Sequence, residues 1–204
     1  IAMPEEPGGY RLLAFADDAA GQAATANIPL LVKGEVRVRM PVYVYEDGFQ
    51  GMPWSPSGWM GNTDVMTLDD KDTRDPYSGE HAIKLRYEGT YGWGGIVWQH
   101  PANNWGGVDG GFDVTGARAL EVFARGAYGG EKIGVGVGLL GNDVDYPDSA
   151  VVKVEDIVLT DASQRIEIPL KGEDLTSLKT GFFVTVTGRR TPVTIYLDRI
   201  RYVR

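Results

Sequence analysis

The chain contains no cysteine. That excludes a disulfide framework, a thiolate metal site and thiol catalysis. Only two histidines occur among 204 residues, and His81 and His100 have no helical-spacing partner, so zinc is poorly provided for. No apolar run is long enough to cross a membrane as a helix. No dinucleotide-binding or phosphate-loop glycine pattern is present, and no serine sits in a nucleophile elbow. The chain is also short of positive charge. Lys and Arg total 20 against 28 Asp and Glu, for a net charge of −8. That balance argues against nucleic acid and anionic membrane surfaces as partners, and leaves neutral polymers open.

Glycine, by contrast, is abundant at 28 residues, and 11 prolines accompany it. Together they favour many turns and an all-β architecture. Short alternating segments recur: HAIKLRYEG (81–89), ALEVFARG (119–126), KIGVGVGLLG (132–141), VVKVEDIVL (151–159), QRIEIPL (164–170), GFFVTVTG (181–188) and VTIYLDRIRYV (193–203). Alternation with turn signals at regular spacing predicts an antiparallel two-sheet β-sandwich of jelly-roll type. In the last segment the apolar phase changes at Asp198–Arg199, which predicts a β-bulge. In KIGVGVG one face reads Gly134, Gly136, Gly138. This is either a shallow trough or a slot that a neighbouring ring fills.

Residues 1–36 differ in character and are expected to form an N-terminal arm or linker preceding a sandwich over 37–204. Within them Ala16–Asn27 is small and polar, a loose helix or extended arm, whereas Ile28–Val32 and Val36–Met40 have strand character. Gly51–Val65 carries two Trp, two Pro and several Gly and is expected to be an irregular aromatic loop. An acidic, turn-rich stretch (67–81) follows it. Residues 171–179 are the best candidate for a short helical turn. The chain opens on Ile1, as expected of a processed or trimmed chain; no signal peptide is visible in it, and removal of one is compatible with this start.

The stretch that stands out is YGWGGIVWQHPANNWGG, Tyr91 to Gly107, with three of the five tryptophans among glycines and amides. Glycine beside Trp leaves ring faces uncovered, and amides supply donor and acceptor together. This composition suits a neutral, hydroxyl-covered ligand. The alternative for each ring is ordinary core packing over a glycine-rich strand. Strand parity sends Trp93 and Trp98 to opposite faces, so both cannot lie on one surface. The candidate carbohydrate-binding residues are Trp54, Trp59, Trp93, Trp98, Gln99, Asn103, Asn104 and Trp105. Glycoside hydrolysis needs two opposed carboxylates. Loop acids are plentiful, but no strand presents an acidic triplet on one face, and no catalytic residue is assigned. For metal, oxygen-rich calcium coordination by Glu46, Asp70, Asp72 and Asp198 is the expectation, since terminal strands of sandwiches often pair.

From Pro41 to Val203 the chain resembles the galactose-binding-like jelly-roll modules that accompany bacterial polysaccharide-degrading enzymes. The resemblance lies in YEDGF, SGEHAIKLRY, GWGGIVWQ with NNWGG, GGFDVTGARALEVFARGAYGGEKIGVGVG, QRIEIPL and IYLDRIRY. It is closest to a bacterial group of exported or lipid-anchored proteins with PSGWMG and WQ-P-NNWG signatures. The resemblance implies a structural calcium ion with Asp198 as a ligand, although Arg199 stands where many relatives have a second Asp. It further implies glycan binding through aromatic rings, an extracellular, periplasmic or cell-surface location, and a parent protein that tethers a glycoside hydrolase. The expected function is non-catalytic binding of a glucan or other plant or microbial polysaccharide. The competing readings are a jelly-roll glycosidase or lyase using loop carboxylates such as Asp64 or Asp70, and a structural or protein-interaction domain.

Overall fold

The computed structural model describes residues 8–17, 23–32 and 39–204. The chain divides into two compact units, Ile1–Val38 and Arg39–Arg204. In the first, β1 (Gly8–Asp17) and β2 (Ala23–Val32) pair antiparallel from Gly8 opposite Val32 to Asp17 opposite Ala23. Ile28–Val32 is strand as its sequence suggests. Ala16–Asp17 and Ala23–Asn27 are strand too, the extended alternative and not the loose helix. A segment without an apolar helical stripe has little to hold a helix, and ladder bonding to the facing strand satisfies its backbone. The strand expected over Val36–Met40 lies partly outside the described residues, and its last two residues, Arg39 and Met40, are not in a strand.

The second unit is all β apart from a single 3₁₀ turn at Thr63–Val65. Its strands are β3 (Val42–Tyr45), β4 (Ser55–Gly61), β5 (Met66–Asp72), β6 (Ala82–Tyr87), β7 (Trp93–Gln99) and β8 (Ala119–Gly126). They continue as β9 (Lys132–Val137), β10 (Val152–Val158), β11 (Gln164–Pro169), β12 (Thr180–Thr187) and β13 (Val193–Val203). A five-stranded sheet runs β10-β9-β12-β7-β4, and a six-stranded sheet runs β11-β8-β13-β6-β5 with β3 also paired to β13. Every pairing is antiparallel. This is the β-sandwich that the alternating sequence predicts.

The period-2 pattern explains which faces meet. In β6, Ile83, Leu85 and Tyr87 are buried while Lys84 and Arg86 are partly exposed. In β9, Ile133, Val135 and Val137 enter the core. In β13 the register slips after Asp198, and Arg199 adopts φ +46. The bulge moves Ile200 and Tyr202 onto the core side after Ile195 and Leu197, so all four are fully buried.

Two segments expected to be irregular are strands. Ser55–Gly61 forms the edge of the five-stranded sheet, bulged between Pro56 and Gly58. An edge strand needs only one side of its ladder, so Pro56 costs it little. Met66–Asp72, inside the acidic stretch, forms the edge of the other sheet, bulged between Asp69 and Asp72. Conversely, residues 171–179 form no helix. Asp174 instead accepts hydrogen bonds from the Thr176 amide at 3.0 Å and hydroxyl at 2.6 Å, the local competition that makes Asp a poor helix former.

Candidate functional site

Residues opposite one another in a ladder share a face, so the pairing registers sort the five-stranded sheet without ambiguity. Ile96 and Trp98 of β7 pair with Val184 and Phe182 of β12, and all four are buried in the core. Trp93, Gly95 and Val97 therefore point away from the sandwich. Three rows of outward positions cross the strands. The first runs Lys153, Gly136, Phe183, Val97, Gly58. The second runs from Gly134 through Thr185 and Gly95 to Met60. Glu155 adjoins its Gly134 end, where a Cβ on Gly134 would lie 3.7 Å from the Glu155 Cγ. The third contains Lys132 of β9 together with the pair Thr187 and Trp93.

The middle row has almost no side chain. Gly95 and Gly134 flank Thr185, and a Cβ on Gly95 would come within 3.1 Å of both the Met60 Cε and the Thr185 Cγ2. The rows on either side are bulky. In the first, the Phe183 ring covers Gly136, and Trp105 lies over Gly58, whose Cβ would meet the indole at 2.9 Å. In the third stands Trp93, 48% exposed. The result is a glycine-floored trough running across the strands between two walls that carry aromatic rings. The glycine face of KIGVGVG thus resolves position by position: Gly136 is a slot filled by Phe183, Gly134 lies under the Thr185 hydroxyl, which a Cβ there would meet at 2.8 Å, and Gly138 lies past the strand with φ +62.

Trp105 is held there by a polar loop. Asn104 is 4% exposed; its Oδ1 accepts from the amides of Gly106 (3.0 Å) and Val108 (3.4 Å), and its Nδ2 donates to the Val108 carbonyl (2.9 Å). Gln99, 1% exposed, donates to the Asn104 carbonyl at 2.8 Å. Asn103, at φ +56, accepts from the Trp105 indole N–H at 3.0 Å, and its amide donates to the Ser57 hydroxyl at 2.7 Å. The loop is thereby pinned to β4 and the indole is held in one orientation. Gln99 and Asn104 spend their hydrogen-bonding groups on the loop, so they position Trp105 and do not face a ligand.

Other expected site residues fall elsewhere. Trp98 is fully buried between Phe49 and Phe182. Trp54 is also core: it covers Gly181, stands edge-on to Phe112 and donates to the Leu178 carbonyl at 2.9 Å. Neither ring is available to a ligand. Trp59 keeps 39% exposure, but it pairs with core-facing Ile96, so it leaves β4 on the face opposite to Met60. Of the eight residues, Trp93, Asn103 and Trp105 are the accessible ones on the trough side. Met60, Phe183 and Thr185 were missed by sequence reasoning. Their signal was the register between strands, which parity within one strand does not supply.

The four acids expected to bind calcium do not assemble. Among the described residues no three His, Asp or Glu side chains form a metal-ligand group. Glu46 is exposed. Asp72 is taken by Arg74, through paired contacts of 3.0–3.3 Å, and by Lys84 at 3.4 Å. Asp198 accepts from the amides of Ser78 (2.9 Å) and Arg199 (2.6 Å). Burial raises the Asp198 pKa despite those amides. At Asp72 burial also pushes upward, but the hydrogen bonds and charge of Arg74 and Lys84 win and hold the pKa below its ordinary value. A depressed folded-state pKa adds stability above the unfolded value, and this is lost as pH falls through the folded one. Asp72→Asn should therefore lower the melting temperature at pH 7, with the difference from wild type closing below about pH 3.8. A thermal melt series over pH checks this; a constant difference would refute it.

No protein-family model matches the chain, and a search of curated proteins finds no match. Solved structures do match. The family 30 carbohydrate-binding module of the cellulosomal cellulase Cel9D-Cel44B from Clostridium thermocellum superposes with a TM-score of 0.53 at 21% identity. It covers 81% of this chain and 98% of the module. A carbohydrate-binding module of the β-sandwich superfamily, described for promiscuous specificity, gives 0.55 at 17% identity over 98% of this chain and 76% of its own. The family 11 module from C. thermocellum, in complex with a β-1,3-1,4-mixed-linked tetrasaccharide, gives 0.50 at 14% identity over 78% and 94%. The fold is that of these carbohydrate-binding modules. At such identities the likeness establishes the sandwich and its topology, while the residues of the trough are this chain's own. Among the described residues no helix is long and apolar enough to cross a membrane.

Proposed function

We propose that this domain is a non-catalytic module that binds a neutral glucan chain in the trough on the outer face of its five-stranded sheet. The observation that carries the reading is that Trp93 and Trp105, 48% and 40% exposed, flank one side-chain-poor row on a single sheet face. Indole faces stack on the apolar faces of sugar rings. Thr185, Asn103 and Ser57 are polar groups on the same side. The two indoles stand in rows separated by about 13 Å along the strand direction, four residues at the antiparallel rise. A chain lying along the trough, across the strands, passes between these two walls and meets one indole on each side. The fold likeness supports the same class, since the family 11 module is complexed with a mixed-linkage tetrasaccharide.

Each stacked ring face removes about 60 Å² of apolar surface from water, or roughly 1.5 kcal/mol. Two rings with a few hydrogen bonds place the dissociation constant between micromolar and millimolar. That range suits a module acting by avidity beside a tethered glycoside hydrolase on an exported protein. Affinity electrophoresis against mixed-linkage β-glucan and a panel of other neutral and acidic polysaccharides tests the proposal. Retardation by a neutral glucan without release of reducing sugar is expected. No retardation by any neutral polysaccharide, or product formation, would overturn it.

A further inference from the structure

The trough does not end at Thr185. Beyond it, Lys132, Gly134, Glu155, Asp156, Thr185 and Thr187, with Ile133 between them, line a recess of about 260 Å³ that is mostly polar. Its floor glycine and its threonine belong to the row that floors the trough, so recess and trough are continuous. The β10 register slips between Val154 and Ile157, and Asp156 within that bulge adopts φ +57. Lys153 pairs with Glu155 at 3.0 Å. Among the described residues Asp156 has no ion-pair or hydrogen-bond partner. No aromatic ring lines the recess. The site is therefore two-ended: indoles and Met60 at the β4–β7 side, and an ammonium, hydroxyls and carboxylates at the β9–β10 side.

We infer that this recess is a hydrogen-bonding subsite for one neutral sugar unit, reached by a glucan chain whose other units stack on Trp93 and Trp105. The inference rests on the glucan reading above and adds a direction and a minimum length to it. Asp156 and Glu155 accept from sugar hydroxyls, Lys132 and Thr187 donate, and Thr185, whose hydroxyl donates to the Gly134 carbonyl at 3.5 Å, accepts. Two carboxylates facing two ammonium groups, Lys132 and Lys153, leave the rim without net charge, so a uronate unit gains nothing there. From β4 to β10 the trough crosses four interstrand spacings, about 19 Å. A short fragment held by the rings stops before the recess, and a longer one enters it.

A size ladder of mixed-linkage β-1,3-1,4 gluco-oligosaccharides, titrated by calorimetry, tests the subsite. Wild type should bind more tightly as the fragment lengthens, up to the size that fills the recess. Asp156→Gly is the informative variant, because glycine suits φ +57 better than aspartate and the fold does not suffer. It should weaken the longest fragments by about tenfold, the loss of a hydrogen bond to a charged acceptor, and leave the shortest unchanged. Lys132→Met should act in the same sense. If affinity is independent of length, or if Asp156→Gly weakens short and long fragments alike or not at all, the subsite is refuted while ring stacking stands. If no fragment binds the wild type, the glucan reading itself falls, and the subsite with it.

Discussion

Replacing both Trp93 and Trp105 by alanine should weaken glycan binding about a hundredfold while leaving the melting temperature close to wild type. Each ring contributes roughly 1.5 kcal/mol through its buried face, which is about tenfold in affinity. The rings stand in rows about 13 Å apart along the strands and share no partner, so their losses should add to about a hundredfold. A dissociation constant between micromolar and millimolar then rises to between about 0.1 and 100 mM. The single variants should fall between, Trp93→Ala and Trp105→Ala each losing about tenfold. Both rings are exposed at 40% or more, so stability barely depends on them. Trp59→Ala is the matched control. Trp59 has similar exposure but leaves β4 on the opposite face, and its loss should not change affinity. If the double variant binds as well as wild type, or if Trp59→Ala weakens binding as much as either trough variant, the trough is not the site.

That contrast between Trp59 and Trp105 shows where sequence reasoning stops. Alternation within a strand is local, and it placed β6 to β13 and the Asp198–Arg199 bulge correctly. It also separated Trp93 from Trp98, because both lie on one strand with no break between them. Across strands it has no purchase. Whether Trp59 joins Trp105 depends on the bulge between Pro56 and Gly58, which turns the phase of β4 relative to β7. Composition misled at the same place, since proline and glycine argue for a loop where an edge strand tolerates both. The amides misled differently. Asn and Gln beside Trp suggest groups that face a sugar, whereas Gln99 and Asn104 are buried under the Trp105 loop and hold it. Trp54 lies over a small neighbour, Gly181, as the composition suggests, but on the core side, and Trp98 packs between Phe49 and Phe182. Acidic residues gave the least information, because cations and backbone amides take up Asp72 and Asp198 once the fold forms.

Asp148→Ala should be the most destabilising substitution of a polar residue in the sandwich. Its carboxylate is 7% exposed and accepts four backbone hydrogen bonds. Oδ2 receives the amides of Leu139 (2.8 Å) and Leu140 (2.9 Å), and Oδ1 those of Lys179 (2.6 Å) and Thr180 (2.9 Å). It thus joins the chain leaving β9 to the chain entering β12, beside the hydrogen bond from the Gly138 amide to the Thr180 carbonyl at 2.8 Å. Alanine would leave four amides without their acceptor in a place water reaches poorly, at a cost of about 3 kcal/mol or more. For a domain of this size that is about 6–12 °C in melting temperature. An asparagine side chain retains one acceptor oxygen, so Asp148→Asn should fall between alanine and wild type. A second effect follows from what the loop touches. Tyr146 donates its amide to the Gly106 carbonyl at 3.0 Å, and Val144 fills the space beside Gly106, next to Trp105. Loosening the loop therefore loosens the support of that indole, and glycan affinity should drop even at temperatures where Asp148→Ala is fully folded. A melting temperature within a degree or two of wild type would show that these four hydrogen bonds do not hold the loop, and unchanged affinity would show that the Trp105 loop stands without it.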